Sequence, residues 1–161
     1  MVYHAETSQK NVLSVLCVSD DLDAFGAIGV FRYAEIYLLR NTLIKELARK
    51  VLEDLERRYK NFCNLYSNLD AFTKKQKARY EFTRKFYQDL EKELNNMEYS
   101  RTIRFGAIGV LNVLITNIVE GEISMLDISD RVLKESNDHY VIEFFKQFKK
   151  EVEKVYSQGM R

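Results

Sequence analysis

Leu52-Glu53-Asp54-Leu55-Glu56-Arg57-Arg58-Tyr59-Lys60-Asn61-Phe62-Cys63-Asn64-Leu65-Tyr66 is the stretch that decides the fold class. Leu52, Leu55, Tyr59, Phe62 and Tyr66 recur at spacings of three and four, and Leu69 continues the series. That spacing puts them on one narrow, heptad-like seam of an α-helix. The remaining positions are largely charged, and Glu46/Lys50, Glu53/Arg57 and Glu56/Lys60 stand four apart with the acid first, the favourable order on a helix surface.

Upstream, no strong helix breaker occurs back to Asp23, and Phe25, Ile28, Arg32, Ile36 and Leu39 fall on one side. An unbroken helix of this length would run on the order of 65 Å at 1.5 Å per residue. It must therefore project or bend, with Asn41 and Asn61 as the places for a bend. Downstream, Ser67-Asn68-Leu69-Asp70 reads as a turn, and Thr73-Lys74-Lys75-Gln76 has the form of a capping box. A second seam follows in Tyr80, Thr83, Tyr87, Leu90, Leu94 and Met97. Two seams with a short joint predict a long antiparallel helical hairpin over about 25–98.

The C-terminal part, about 102–157, reads as further helices. Residues 103–119 are apolar around most of a helical circumference, interrupted by Arg104, Asn112, Thr116 and Asn117. This predicts a central buried helix rather than a membrane span, which needs ~20 apolar residues. Gly121 suits its C-terminus. A short helical segment near 124–134 precedes Ser136-Asn137-Asp138, a set of N-cap candidates. The last helix gathers Val141, Phe144, Phe145, Phe148, Val152 and Val155 on one face.

Composition agrees. The 161 residues include no proline, where usage of ~5% would give roughly eight. Hydrophobic residues make up 46% and charged residues 30%, as in a folded chain. The expected fold is an all-α bundle of about five to six helices in a single domain, 1–161. An apolar segment at 12–18 fits a short buried helix, and Ser19-Asp20-Asp21-Leu22-Asp23 fits an N-cap and first turn.

One hexapeptide occurs twice: Phe25-Gly26-Ala27-Ile28-Gly29-Val30 and Phe105-Gly106-Ala107-Ile108-Gly109-Val110. Glycines three apart leave a flat strip, so the two segments are expected to cross closely or to occupy equivalent places in a pseudo-symmetric fold. Similarity fades beyond the six residues. A phosphate-binding loop is not indicated, because it requires a strand, a loop with more glycines and a helix in order.

Signals for chemistry are sparse. His4 and His139 are the only imidazoles, and neither lies in a metal-binding spacing. Cys17 and Cys63 lie far apart on apolar stretches, which reads as buried thiols in a reducing, cytoplasmic setting. Asp20, Asp21 and Asp23 lack the glycine and terminal Glu of a calcium loop. No catalytic residue, metal or cofactor is expected, and the first residues lack a signal-peptide pattern.

The best functional lead is a basic run. Lys74, Lys75, Lys77, Arg79, Arg84 and Lys85 lie within twelve residues, interleaved with Tyr80, Phe82, Phe86 and Tyr87, and Arg57, Arg58 and Lys60 are expected near the same end of the hairpin. Such a surface neutralises phosphates, and an exposed aromatic stacks on a base. The plainer account is a solvated charged face over core aromatics. With a net charge of +1, any affinity for RNA or DNA must be local. The expected role is a non-enzymatic helical subunit of a multi-component assembly, contacting nucleic-acid backbone through this arm. The alternatives are a homo-oligomeric scaffold or protein-interaction module without nucleic acid, and a helical enzyme whose site is assembled only in space.

Overall fold

The computed structural model describes residues 23–66, 70–121 and 124–159. These form six α-helices and no strand: α1 (Gly26–Leu39), α2 (Ile44–Leu65), α3 (Asp70–Asn96), α4 (Gly106–Glu120), α5 (Met125–Glu135) and α6 (His139–Gly159). The apolar segment 12–18, Asp20 and Asp21, His4, Cys17 and the turn at 67–69 lie outside the described residues.

The all-α bundle with its antiparallel hairpin, α2 and α3, is as the seams predict. Helix α1 packs against α3, α4 and α6, and α4 against α3 and α6, while α2 lies on α3 and α5 on α6. Phe144 packs near the rings of Phe82, Phe86, Phe145 and Phe148, tying α3 to α6. Each fully buried side chain of this size contributes about 1.5–3 kcal/mol.

The break between α1 and α2 falls at Asn41. Its φ is +58°, its N–H bonds to Leu38 O (2.9 Å), and the Thr42 N–H bonds to Tyr37 O (3.0 Å). That is a Schellman ending with asparagine in the left-handed position. The face of α1 departs from the sequence expectation. Ala27, Val30, Phe31 and Ala34 are buried, whereas Leu39 is exposed, because α1 is covered by α3, α4 and α6 rather than by one partner. At the other end of the hairpin, α3 begins at Asp70, so Thr73 is already helical and no capping box forms. The Thr73 hydroxyl donates to Tyr66 O instead (3.0 Å), and Gln76 is buried. Of the three surface ion pairs, Glu46–Lys50 forms (3.0 Å), Glu53 pairs with Arg49, and Glu56 accepts from the Tyr80 hydroxyl.

Helix α4 is the central apolar helix, and Gly121 ends it in the left-handed conformation. Asn112, buried on α4, fastens the connection between α3 and α4. Its Nδ2 donates to Ser100 O (2.9 Å) and Ile103 O (3.0 Å), and its Oδ1 accepts from the Tyr99 hydroxyl (2.7 Å). Asn112→Leu is expected to cost about 2 kcal/mol by leaving these groups unpaired. The measurement is urea unfolding, with the midpoint falling and the slope unchanged.

The repeated hexapeptide begins α1 and α4 in the same way. Gly26 and Gly106 have φ of +81° and +64°, each preceded by an extended phenylalanine. In each copy a glutamate from a distant helix closes the helix start. Glu151 on α6 accepts from Ala27 N–H and Ile28 N–H, both at 3.2 Å. Glu93 on α3 accepts from Ala107 N–H and Ile108 N–H, both at 2.9 Å. A Cβ on Gly26 or Gly106 would fall on these carboxylates, at 2.5 Å and 2.4 Å. Gly29 and Gly109 serve a different approach: a Cβ there would strike the chain's own entry, Ala24 O at 2.2 Å or the Arg104 carbonyl carbon at 2.6 Å. Although α1 and α4 do pack together, the glycines are thus needed for the helix entrances rather than for a helix crossing.

The likeness extends to whole units. Gly26 and Gly106 are 80 residues apart, but Glu93 and Glu151 are 58 apart, so the second copy is 22 residues shorter between these points. With that shift, Phe86, Tyr87, Leu90, Glu93 and Leu94 match Phe144, Phe145, Phe148, Glu151 and Val152. Ahead of the shortfall, at an offset of 81, the buried Leu47, Ala48 and Val51 match Ile128, Ser129 and Val132. Helix α2 has 22 residues against 11 in α5, and α3 starts ten residues before Tyr80 whereas α6 starts one residue after its counterpart, Asp138. The described residues therefore form two similar three-helix units in tandem, α1–α3 and α4–α6, with the hairpin of the second shorter on both limbs. Each third helix caps the first helix of the other unit.

Candidate functional site

The extra length of the first hairpin carries much of the basic run. Tyr59 stacks on Tyr80 (centroids 3.8 Å apart) beside Phe25, and beyond this level α2 continues to Leu65 and α3 reaches back to Asp70. Lys74, Lys75 and Lys77 sit there in the first two turns of α3, exposed and without an acidic partner within 4 Å among the described residues. Lys60, expected at this end of the hairpin with Arg57 and Arg58, is also exposed in this part of α2.

The other five predicted residues are engaged. Arg79 turns inward, donating to Phe25 O (2.7 Å) and Gln76 Oε1 (3.0 Å) and lying 4.0 Å from Glu151. It serves the entrance of α1. Arg84 faces Glu81 at 3.8 Å, and Lys85 pairs with Asp89 at 2.6 Å. Arg57 and Arg58 both bond to Asp54. Burial opposes the charge on Asp54, but its hydrogen bonds from Arg58 and Arg57 prevail and hold its carboxyl below the usual carboxylate range.

The interleaved aromatics are not a stacking platform. Tyr80, Phe86 and Tyr87 are buried, and Phe82 is half-buried against Phe144. They belong to the seam that packs α3, which is the plainer account of their spacing. Lys74, Lys75 and Lys77 thus present charge without exposed rings among these four.

Two cavities open elsewhere. One, of about 470 Å³, lies between α3 and α6 and is lined by Lys85, Phe86, His139, Tyr140 and Lys146 among others. The other, of about 780 Å³, lies among α4, α5 and α6 beside Phe105. Burial, reinforced by Asp89, pushes the Tyr140 hydroxyl upward, and burial does the same at Tyr33 and Tyr87. Tyr59 is pushed up to about 12, by burial first and then by Cys63. These shifts move the hydroxyls away from neutral pH, not toward it. Among the described residues, no cluster of three His, Cys, Asp or Glu side chains could hold a metal ion, and no helix is long and apolar enough to cross a membrane.

Comparison with protein-family models, with curated proteins and with solved structures yields no match.

Proposed function

We propose that this protein is a non-enzymatic subunit of a larger assembly, and that the end of its long hairpin contacts nucleic-acid backbone. The observation that supports this is the set Lys74, Lys75 and Lys77, exposed and without a carboxylate within 4 Å among the described residues, on the limb by which the first unit outruns the second. Elsewhere on the surface many lysines and arginines have a carboxylate within 4 Å, as in Lys50–Glu46, Lys146–Glu143 and Lys149–Asp130. Unpaired lysines bind phosphate by releasing counterions, and without exposed rings beside them the contact carries no base preference.

The test is fluorescence anisotropy with single- and double-stranded 30-mers across a salt series. For three phosphate contacts on a duplex, log K is expected to fall with log salt at a slope of about −2.7. Replacing Lys74, Lys75 and Lys77 with Glu should abolish binding at low salt. No binding of the native chain at low salt, or equal binding of the variant, would overturn the proposal.

A second reading is self-association or docking to a protein partner. It is favoured by Leu39 and Leu43, exposed at 67% and 55% on either side of the Asn41 turn. Sedimentation of the native chain and of a Leu39→Ser, Leu43→Ser variant tests it. A native chain that stays monomeric at high concentration removes the self-association arm.

A further inference from the structure

The two copies of the hexapeptide differ sharply at their first residue. Phe25 is fully buried, and the rings of Tyr59, Phe62 and Tyr80 meet it edge-on, each with its centroid 6.0 Å away. Phe105, its counterpart, is 51% exposed. The difference follows from the shortened hairpin. Helix α5 ends at Glu135, before it reaches the level at which α2 supplies Tyr59 and Phe62, and Asp138 stands where Tyr80 would be. What fills this position in the first unit is aromatic; in the second it is the cavity of about 780 Å³, within the size range of small-molecule sites.

The lining has two characters. Val113, Ile128 and Val132 form an apolar floor next to Phe105, and Arg104 and Arg131 stand at the rim. Neither arginine has a carboxylate within 4 Å among the described residues. Arg104 is held by its own bonds to Arg101 O (2.6 Å) and Ile103 O (3.3 Å). Of the two acids in the lining, Asp138 is engaged by the Gly106 and Val141 N–H groups through Oδ1, and Glu135 is exposed at the outer edge. Guanidinium groups bind carboxylates and sulfonates strongly, and rings prefer the edge-to-face contact that Phe25 already shows.

We propose that the cavity beside Phe105 binds a small aromatic anion, its ring against Phe105 and its acid group toward Arg104 and Arg131. The site is independent of the lysines of the hairpin, so the two proposals stand or fall separately.

The test uses the full chain, amide NMR and three probes of one shape: naphthalene-2-carboxylate, its saturated decalin analogue, and 2-(aminomethyl)naphthalene. Saturable shifts of Phe105, Val113 and Val132 are expected with the aromatic acid, with the other two probes at least tenfold weaker. Arg131→Glu, at an exposed position where the native amide spectrum elsewhere is expected to persist, should weaken the aromatic acid at least tenfold. Phe105→Ala should erase the preference for the aromatic over the saturated acid. Overturning results would be no saturable shift at millimolar probe, equal affinity for all three, unchanged affinity in Arg131→Glu, or shifts confined to the cavity beside Phe144.

Discussion

Glu151→Ala is expected to lower stability by about 3 kcal/mol, a large loss for a single side chain that is not part of an apolar core. The carboxylate is nearly buried and accepts from two backbone N–H groups that have no intrahelical partner, as well as from Gln147 Nε2 at 2.8 Å. Truncation leaves those donors unsatisfied and removes a negative charge from the positive end of α1. Urea unfolding by circular dichroism measures it. A cycle with Gly26→Ala sharpens the test. A Cβ at Gly26 lands 2.5 Å from the same carboxylate and displaces it, so the two changes should be less than additive by about 1–2 kcal/mol. Strict additivity would mean that the carboxylate is not the cap. Glu93→Ala should repeat the effect at α4.

Gly29→Ala carries the other large effect, about 3 kcal/mol or more. The added carbon would sit 2.2 Å from Ala24 O and 2.4 Å from Ala24 C, both backbone atoms that cannot rotate aside. The entry of α1 must shift, and Phe25, whose ring lies among Tyr59, Phe62 and Tyr80, shifts with it. Thermal unfolding gives the measurement. Gly109→Ala should be milder, because its nearest contact is 2.6 Å and the neighbouring Phe105 is half in solvent. An equal loss at the two sites would contradict the difference in packing.

The helices were legible because the seams at Leu52–Tyr66 and Tyr80–Met97 repeat at helical spacing, and the absence of proline leaves them unbroken. Asn41 was one of two suggested bends, and only the Schellman bonds distinguish it from Asn61. The reciprocal caps were not legible. A glutamate that closes a helix start 123 or 124 residues away has no local pattern, unlike a serine or aspartate three residues before the bond it accepts. The likeness of the two units was half visible, since the hexapeptide is identical but the third helices align only after a 22-residue shift. Of the basic run, Lys74, Lys75 and Lys77 point outward, but sequence could not show that Arg79 reaches Phe25 O across 54 positions. Burial of Tyr80, Phe86 and Tyr87 follows from the seam itself, so their contribution to base stacking was the weaker half of that expectation.

The crossed capping also bears on symmetry. Within either unit, the glutamate of the third helix does not close the start of its own first helix; it closes its neighbour's. A single unit released from the tandem would meet the missing carboxylate only in a second copy of itself, and the exchange is mutual, as across a two-fold axis. The described helices thus have the arrangement of a homodimer whose halves are joined by the connection at 97–105, one half carrying the shorter hairpin.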